Sequence, residues 1–238
     1  MSYFAEYNKI NIDIDGKGVV DNLCNLTNRV KIKDSLINNL GYYDKVTVQE
    51  GERPDALSQR LYGTPEYHWT FFLLNDNISN IWSGWPMSNA QLVEYCTNKY
   101  QYTAALTDDN IAGKFKVGET ISGILSNAVG TIREIHVNNY YLTIEVTSGT
   151  FTSTGESLQG AETGDTMIAT SIDSRRLAPK YHKDVVTGEI VPKRTAGTVP
   201  YTFLEWETAR NDTNRYMKVI KTNHVASVAA EFKREISK

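Results

Sequence analysis

The sequence predicts an α+β fold in which a helical module is followed by an inserted all-β unit and then by a segment that ends in a strand and a helix. Three observations predict it. Apolar residues alternate at period two in the first 45 residues, as at Ile10, Ile12 and Ile14 of "KINIDIDG", the mark of half-buried strands. Helix start and stop signals crowd "GERPDALSQRLYGTPEYHWTFFLLNDN", Gly51 to Asn77. From Lys114 to Ile172 the composition turns to Thr, Ser, Gly, Val and Ile, with turn residues every few positions, the pattern of a small β unit.

Taken in order, residues 1–45 read as an extended arm of short strands, the second being "NRVKIK" with Val30 and Ile32 alternating against basic residues. This arm can lie on a neighbour or on its own core, and the sequence leaves both open. Residues 46–107 form the helical module. "KVTVQEG" is a strand ending at the Gly51 turn, and Pro54 suits a first helical turn that continues through Leu57 and Leu61 on one face. Gly63 ends that helix, and Thr64-Pro65 starts a second, almost wholly apolar one that runs into Asn75. "NISNIWSGWP" returns to Trp85-Pro86, and "SNAQLVEYCTNKY" opens a third helix from a Ser or Asn cap.

Residues 108–174 form the inserted β domain, and they hold a repeat. "FKVGETISG" and "FTSTGESLQG" place Gly-Glu pairs at 118–119 and 155–156, and closing glycines at 123 and 160, both offset by 37. Each copy reads as a hairpin held by glycine turns, and two copies can close round one core as a barrel or sandwich. In residues 175–238, "YHKDVVTGEIVPKR" is a hairpin turned by Thr187-Gly188. An extended stretch, a polar turn or short helix and a strand through Met217 and Val219 follow. A last helix starts near Asn223, with Val225, Val228, Ala229, Phe232 and Ile236 in one apolar stripe.

The 238 residues carry 25 basic and 28 acidic side chains, a net of −3, so nothing indicates a general nucleic-acid binder. The charge is uneven. Residues 175–238 hold 13 Lys and Arg against 7 Asp and Glu, a net of +6, which leaves −9 for residues 1–174. Such a chain can be complementary to copies of itself or to neighbours, and a solvated basic helix face explains the same numbers. Cys24 and Cys96 stand in no pair motif and read as small buried hydrophobes. No signal peptide and no membrane span is legible, so synthesis and folding in a cytoplasm are expected.

Catalytic chemistry is hard to find. His68, His136, His182 and His224 are isolated, and no phosphate loop or nucleophile elbow occurs. Glu66, Asp76, Glu205 and Glu207 are carboxylates on which a glycosidase pair could be built, but cap and rim roles explain them equally. The expectation is no enzyme, no cofactor and no metal. Aromatic residues stand out instead, with 14 Tyr, 4 Trp and 7 Phe. Trp69, Phe72 and Leu73 read as core; for Tyr62, Trp82 and Trp85, beside turns, core and partner contact both stay open.

The order in residues 48–77, strand, "GERPDALSQRLYG", apolar helix and closing Asn, resembles the LysM module, a βααβ unit. A longer resemblance joins "SYFAEY", "NLTNRVKIK", "GERPDALSQRLYGTPEYHWTFFLLNDNISNIWSGWPMS" and "ETARNDTNRYMKVIK…VASVAAEFKREI". Together they resemble the LysM-like baseplate wedge proteins of T4-type contractile-tailed bacteriophages, over roughly residues 1–100 and 200–238. The resemblance implies a structural virion protein of the tail baseplate, assembled in the host cytoplasm. It would contact wedge-core and sheath-initiating subunits and adjacent wedges or copies of itself in a ring, without cofactor, nucleic acid or membrane. Candidate contact residues are Tyr3, Phe4, Tyr62, Trp82, Trp85, Arg215 and Lys218; Gly51, Pro54, Leu57, Gly63, Trp69, Asn75 and Pro86 would define the module. The alternative is a LysM-type peptidoglycan or polysaccharide-binding tail protein, and a glycan enters only there.

Overall fold

A computed structural model describes residues 8–14, 16–18, 20–25, 41–78, 84–193 and 195–236. Tyr3, Phe4 and Trp82, and the strand expected at Val30 and Ile32, lie outside the described residues. The described chain is of mixed helix and strand, as the α+β expectation has it. In order it runs β1 (Lys9–Ile12), β2 (Asp21–Cys24), β3 (Tyr43–Thr47), α1 (Pro54–Tyr62), α2 (Thr70–Leu74), α3 (Asn89–Lys99) and β4 (Thr103–Thr107). Then come β5 (Thr120–Gly123), β6 (Val129–His136), β7 (Tyr141–Ser148), β8 (Glu156–Gly160), β9 (Thr166–Ser174), β10 (Pro179–Asp184), β11 (Ile190–Val191) and β12 (Thr198–Thr202). The last elements are α4 (Phe203–Arg215), β13 (Tyr216–Ile220) and α5 (Thr222–Ile236). Two compact units result: Met1–Ser88 with Asn211–Lys238, and Asn89–Arg210.

In the first unit, β3 pairs antiparallel with β13, Val46 opposite Met217. Val48, Leu57, Phe71, Ile78, Trp85, Met217 and Val219 make the core on this two-stranded sheet. Pro54 opens α1, where a missing N–H costs nothing, and Gly63 closes it at φ 74°, its N–H bonded to Gln59 O at 3.0 Å. The single apolar helix expected from Thr64 is split in two. A 3₁₀ turn occupies Pro65–Tyr67, its start capped by Thr64 Oγ1, and α2 begins only at Thr70. At the start of α2 the Phe71 and Phe72 N–H groups donate to the carbonyls of His68 and Trp69, three residues back, the tighter winding that 3₁₀ geometry uses for short pieces. The stripe on α5 buries Val225, Ala229, Phe232 and Ile236 as its spacing predicts, and Phe232 meets the Trp69 ring at 4.7 Å between centroids. β1 and β2 form a separate hairpin, but its alternation buries little: Ile12 and Ile14 are 40% and 65% exposed.

The second unit is built on a closed six-stranded barrel, in the order β4-β7-β6-β5-β8-β9. Its strand pairing obeys the 37-residue period throughout. Ile121 faces Gly130 and Leu158 faces Met167; Ala105 faces Ile172 and Leu142 faces Ile135. Even the bulges recur, after Leu106 where β4 meets β9 and between Ile132 and Glu134 where β6 meets β7. The barrel is therefore two copies of one three-stranded unit, β4-β5-β6 and β7-β8-β9, related by a local two-fold between β5 and β8. Its interior is apolar, with Ile111, Phe115, Ile121, Ile132, Leu142, Ile144, Phe151, Leu158 and Met167 buried.

Two buried carboxylates close the copies on each other. Glu119 of the first copy accepts Lys116 N–H at 2.7 Å and, from the second copy, Thr163 N–H and Oγ1–H at 3.2 Å each. Glu156 of the second accepts Thr152 N–H at 2.8 Å and, from the first, Leu125 N–H at 2.8 Å and Ser126 N–H at 3.2 Å. The closing glycines make room for this exchange. A Cβ at Gly123 would lie 2.7 Å from Glu156 Oε1, and one at Gly160 would lie 2.8 Å from Glu119 Oε2. Burial pushes the Glu156 carboxyl up, but the donors from Thr152, Leu125 and Ser126 outweigh it and hold the pKa at about 2.

A pH-dependent stability follows. A carboxylate whose folded pKa is depressed stabilises the fold fully above its unfolded value of about 4.5, and that stability is lost as pH falls toward about 2. Glu156→Gln is expected to lower unfolding free energy by roughly 3 kcal/mol at neutral pH. In denaturant titrations the gap between variant and parent should shrink as pH falls through this window; a gap independent of pH would refute the carboxylate's role.

Candidate interaction surface

The pattern of the module resolves into a set of internal ties. Gly51, at φ 71°, lets the turn Gln49–Glu52 form, and Glu52 accepts Gln49 N–H at 2.9 Å. Arg60, eight residues on, grips Glu52 with Nε at 2.7 Å and Nη2 at 2.9 Å. That fork holds the Glu52 carboxyl below the usual carboxylate range, the Arg60 bond being the largest cause. The Glu52 carbonyl in turn accepts Trp85 Nε1–H at 2.7 Å. Trp85 is 9% exposed and packs on Phe71 and Phe72 with ring centroids about 6 Å apart, so its indole is core.

Asn75 holds the module to β13. Its Nδ2 donates to Phe71 O at 2.8 Å and to Lys218 O at 2.9 Å, and its Oδ1 accepts Lys218 N–H at 2.9 Å. The side-chain amide thus pairs with Lys218 as a neighbouring strand would. Tyr62 makes a second tie: its hydroxyl donates to Ile220 O at 2.9 Å, its ring stacks on Phe71, and burial pushes its pKa up to about 12. At the end of α4, Asn211 exchanges two bonds with Met87, and Asn214 donates to Gly84 O at 3.0 Å while accepting from Asn77 Nδ2 at 2.8 Å. Arg215 Nη2 donates to Met87 O at 3.1 Å.

Of the candidate contact residues, then, Tyr62, Trp85 and Arg215 are tied within the unit. Lys218 has its backbone clasped by Asn75, and its ammonium stands 5.1 Å from the Tyr43 ring centroid. Leu57, Asn75 and Pro86 are buried and Trp69 is half-buried. Sequence reading missed Glu52–Arg60, Asn211 and Asn214. The last two had a signal, since residues three apart share a helix face.

The remaining chemistry is structural. Glu207, 3% exposed, accepts Lys99 Nζ at 2.6 Å and Tyr100 OH at 2.7 Å, and Glu205 caps Thr202. A cavity of about 610 Å³ beside the barrel is lined by Asn138, Tyr140, Tyr181 and His182 among others, but by no carboxylate, so it lacks a glycosidase pair. Among the described residues no group of three or more His, Cys, Asp or Glu could hold a metal, and no helix is long and apolar enough to cross a membrane.

Residues 7–119 match the family model described as base plate wedge protein 53. The match supports a phage baseplate wedge protein. The matched stretch runs from β1 through the module, α3 and β4, and ends at Glu119 of the first barrel copy. By that description, proteins of the family are components of the phage base plate wedge. No curated protein matches the chain.

The clasp gives a direct prediction. Asn75→Ala leaves the Phe71 and Lys218 groups unpartnered in a buried site, and should cost roughly 2–4 kcal/mol of stability. Asn75→Asp should be about as harmful, because a carboxylate accepts the Lys218 N–H but donates to neither carbonyl. Faster amide hydrogen exchange along β13 in both variants is the expected reading; protection unchanged in either would refute the clasp.

Proposed function

We propose that this chain is a baseplate wedge component that joins wedge proteins to one another, and adjacent wedges around the hub, while a contractile tail assembles. Its partners in this reading are the wedge-core and sheath-initiating subunits, and it catalyses nothing. One observation carries the choice over a glycan-binding module: the ring of Trp85 beside the turn at Gly51–Asp55, and that of Tyr62 at the far end of α1, are spent inside the unit. A saccharide platform needs an accessible aromatic face there, whereas Trp85 is buried and bonded to Glu52 O, and Tyr62 is tied to Ile220 O. The uneven charge along the chain adds support, because a basic C-terminal quarter and an acidic remainder suit side-by-side association.

Sedimentation of the purified chain, once with wedge-core proteins and once with insoluble peptidoglycan, tests the reading. Travel with the wedge proteins and release from peptidoglycan is the expected result. Retention on peptidoglycan that Trp82→Ala abolishes, with thermal unfolding unchanged, would transfer the function to host-surface binding. Arg215 is a poor site for probing charge in assembly, since its guanidinium holds Met87 O and reversal there would disturb the fold.

A further inference from the structure

We propose that Lys99, Lys180 and Arg210, gathered about Trp206 in the Asn89–Arg210 unit, together with Arg176 bonded to Thr97 on the helix that carries Lys99, seat an acidic segment of a neighbouring baseplate protein. The proposal rests on the structural reading above and names a surface for it. Four elements contribute: α3 brings Lys99, the 3₁₀ turn Arg175–Leu177 brings Arg176, β10 brings Lys180, and α4 brings Trp206, Glu207 and Arg210. The Lys180 ammonium lies 3.2 Å from the Trp206 ring centroid, with Lys99 Nζ at 5.8 Å and Arg210 Cζ at 5.9 Å. Arg176 reaches the same helix as Lys99, donating from Nη1 to Thr97 Oγ1 at 3.3 Å.

The negative charge in this cluster does not balance the positive. Among the described residues Glu207 is the one carboxylate paired within it, binding Lys99 at 2.6 Å and Arg210 at 3.6 Å. The indole attracts cations through its quadrupole but carries no net charge. Arg176 Nε is buried with no hydrogen-bond partner. Lys180 meets the ring and no carboxylate, and burial together with the Lys99 and Arg210 charges lowers its pKa against the pull of Glu207. The Lys180 ammonium and the outer guanidinium nitrogens of Arg176 and Arg210 gain from an incoming carboxylate, which would supply the missing counter-charge.

The occupant follows from the scale of the charge. Four cations match a short run of Asp and Glu. A nucleic-acid strand would extend beyond them over a chain whose net charge is −3, where like charge repels it.

The test uses the full chain, a ten-residue oligoglutamate and a ten-nucleotide single strand as probes, followed by tryptophan fluorescence. Oligoglutamate is expected to bind, to weaken with salt, and to bind roughly tenfold less tightly to Lys180→Gln/Arg176→Gln, about 1.4 kcal/mol. Lys180→Arg should restore affinity, and a thermal melt of each variant checks that the unit is folded. No oligoglutamate binding, equal binding by the folded double variant, or tighter binding of the nucleotide strand would each overturn the proposal. Sedimentation with wedge-core proteins separates it from the broader reading. If the parent chain fails to sediment with them, the wedge-joining function falls; if parent and folded double variant sediment equally, only this seat does.

Discussion

Strand β13 has to be satisfied along both of its edges, and the first unit is organised by that requirement. One edge is occupied by β3 through an ordinary antiparallel ladder. Along the other no strand lies among the described residues, and a buried backbone without partners would cost more than the small net gain of most hydrogen bonds. Asn75 resolves this with a side chain that presents a donor and an acceptor in the geometry of a peptide group. The segment matched to the wedge family cannot complete this unit alone, because Met217 and Val219 of its core and the strand that carries them arrive from the far end of the chain.

The same economy of polar groups shapes the barrel, with a charged solution in place of a neutral one. Glu119 and Glu156 are almost fully buried, yet each collects amide donors from turns that would otherwise have lacked acceptors. A buried carboxylate is tolerable when several donors face it. In the cluster about Trp206 the proportion is reversed, with donors and positive charge in excess of acceptors. One arrangement is complete within the unit, and the other is complete only with something added.

How much of this the sequence disclosed depended on the range of the interaction. Local signals read well: Pro54 and Gly63 bound α1, Thr187-Gly188 turns β10 into β11, and the stripe from Val225 to Ile236 packs as spaced. The 37-residue repeat was legible, but its first strand was not, since "TAALT" has neither turn residues nor strong β-branched alternation to mark it as the partner of β7. The helix α4 was expected as a turn or short helix because Asn211, Asp212, Thr213 and Asn214 are poor helix formers; tertiary bonds from Asn211 and Asn214 hold it to 13 residues. The roles of Tyr62 and Trp85 were open for a similar reason. A ring beside a turn is core or contact according to what lies across from it, and those partners, Ile220 and Glu52, are named nowhere in the ring's own neighbourhood of sequence.

The exchange of carboxylates between the barrel copies also bears on how such a unit can be inherited. Neither copy is a viable half: loss of one would strip a buried acid of donors and leave the other's closing turn without an anchor. Gly123 and Gly160 are bound to the partner copy's glutamate by lack of space, so a change at any of these four positions must be matched in the opposite copy. Drift is free on the outward faces and coupled at this seam. The two copies therefore tolerate substitution at this seam only in matched pairs, and they stand or fall as one unit.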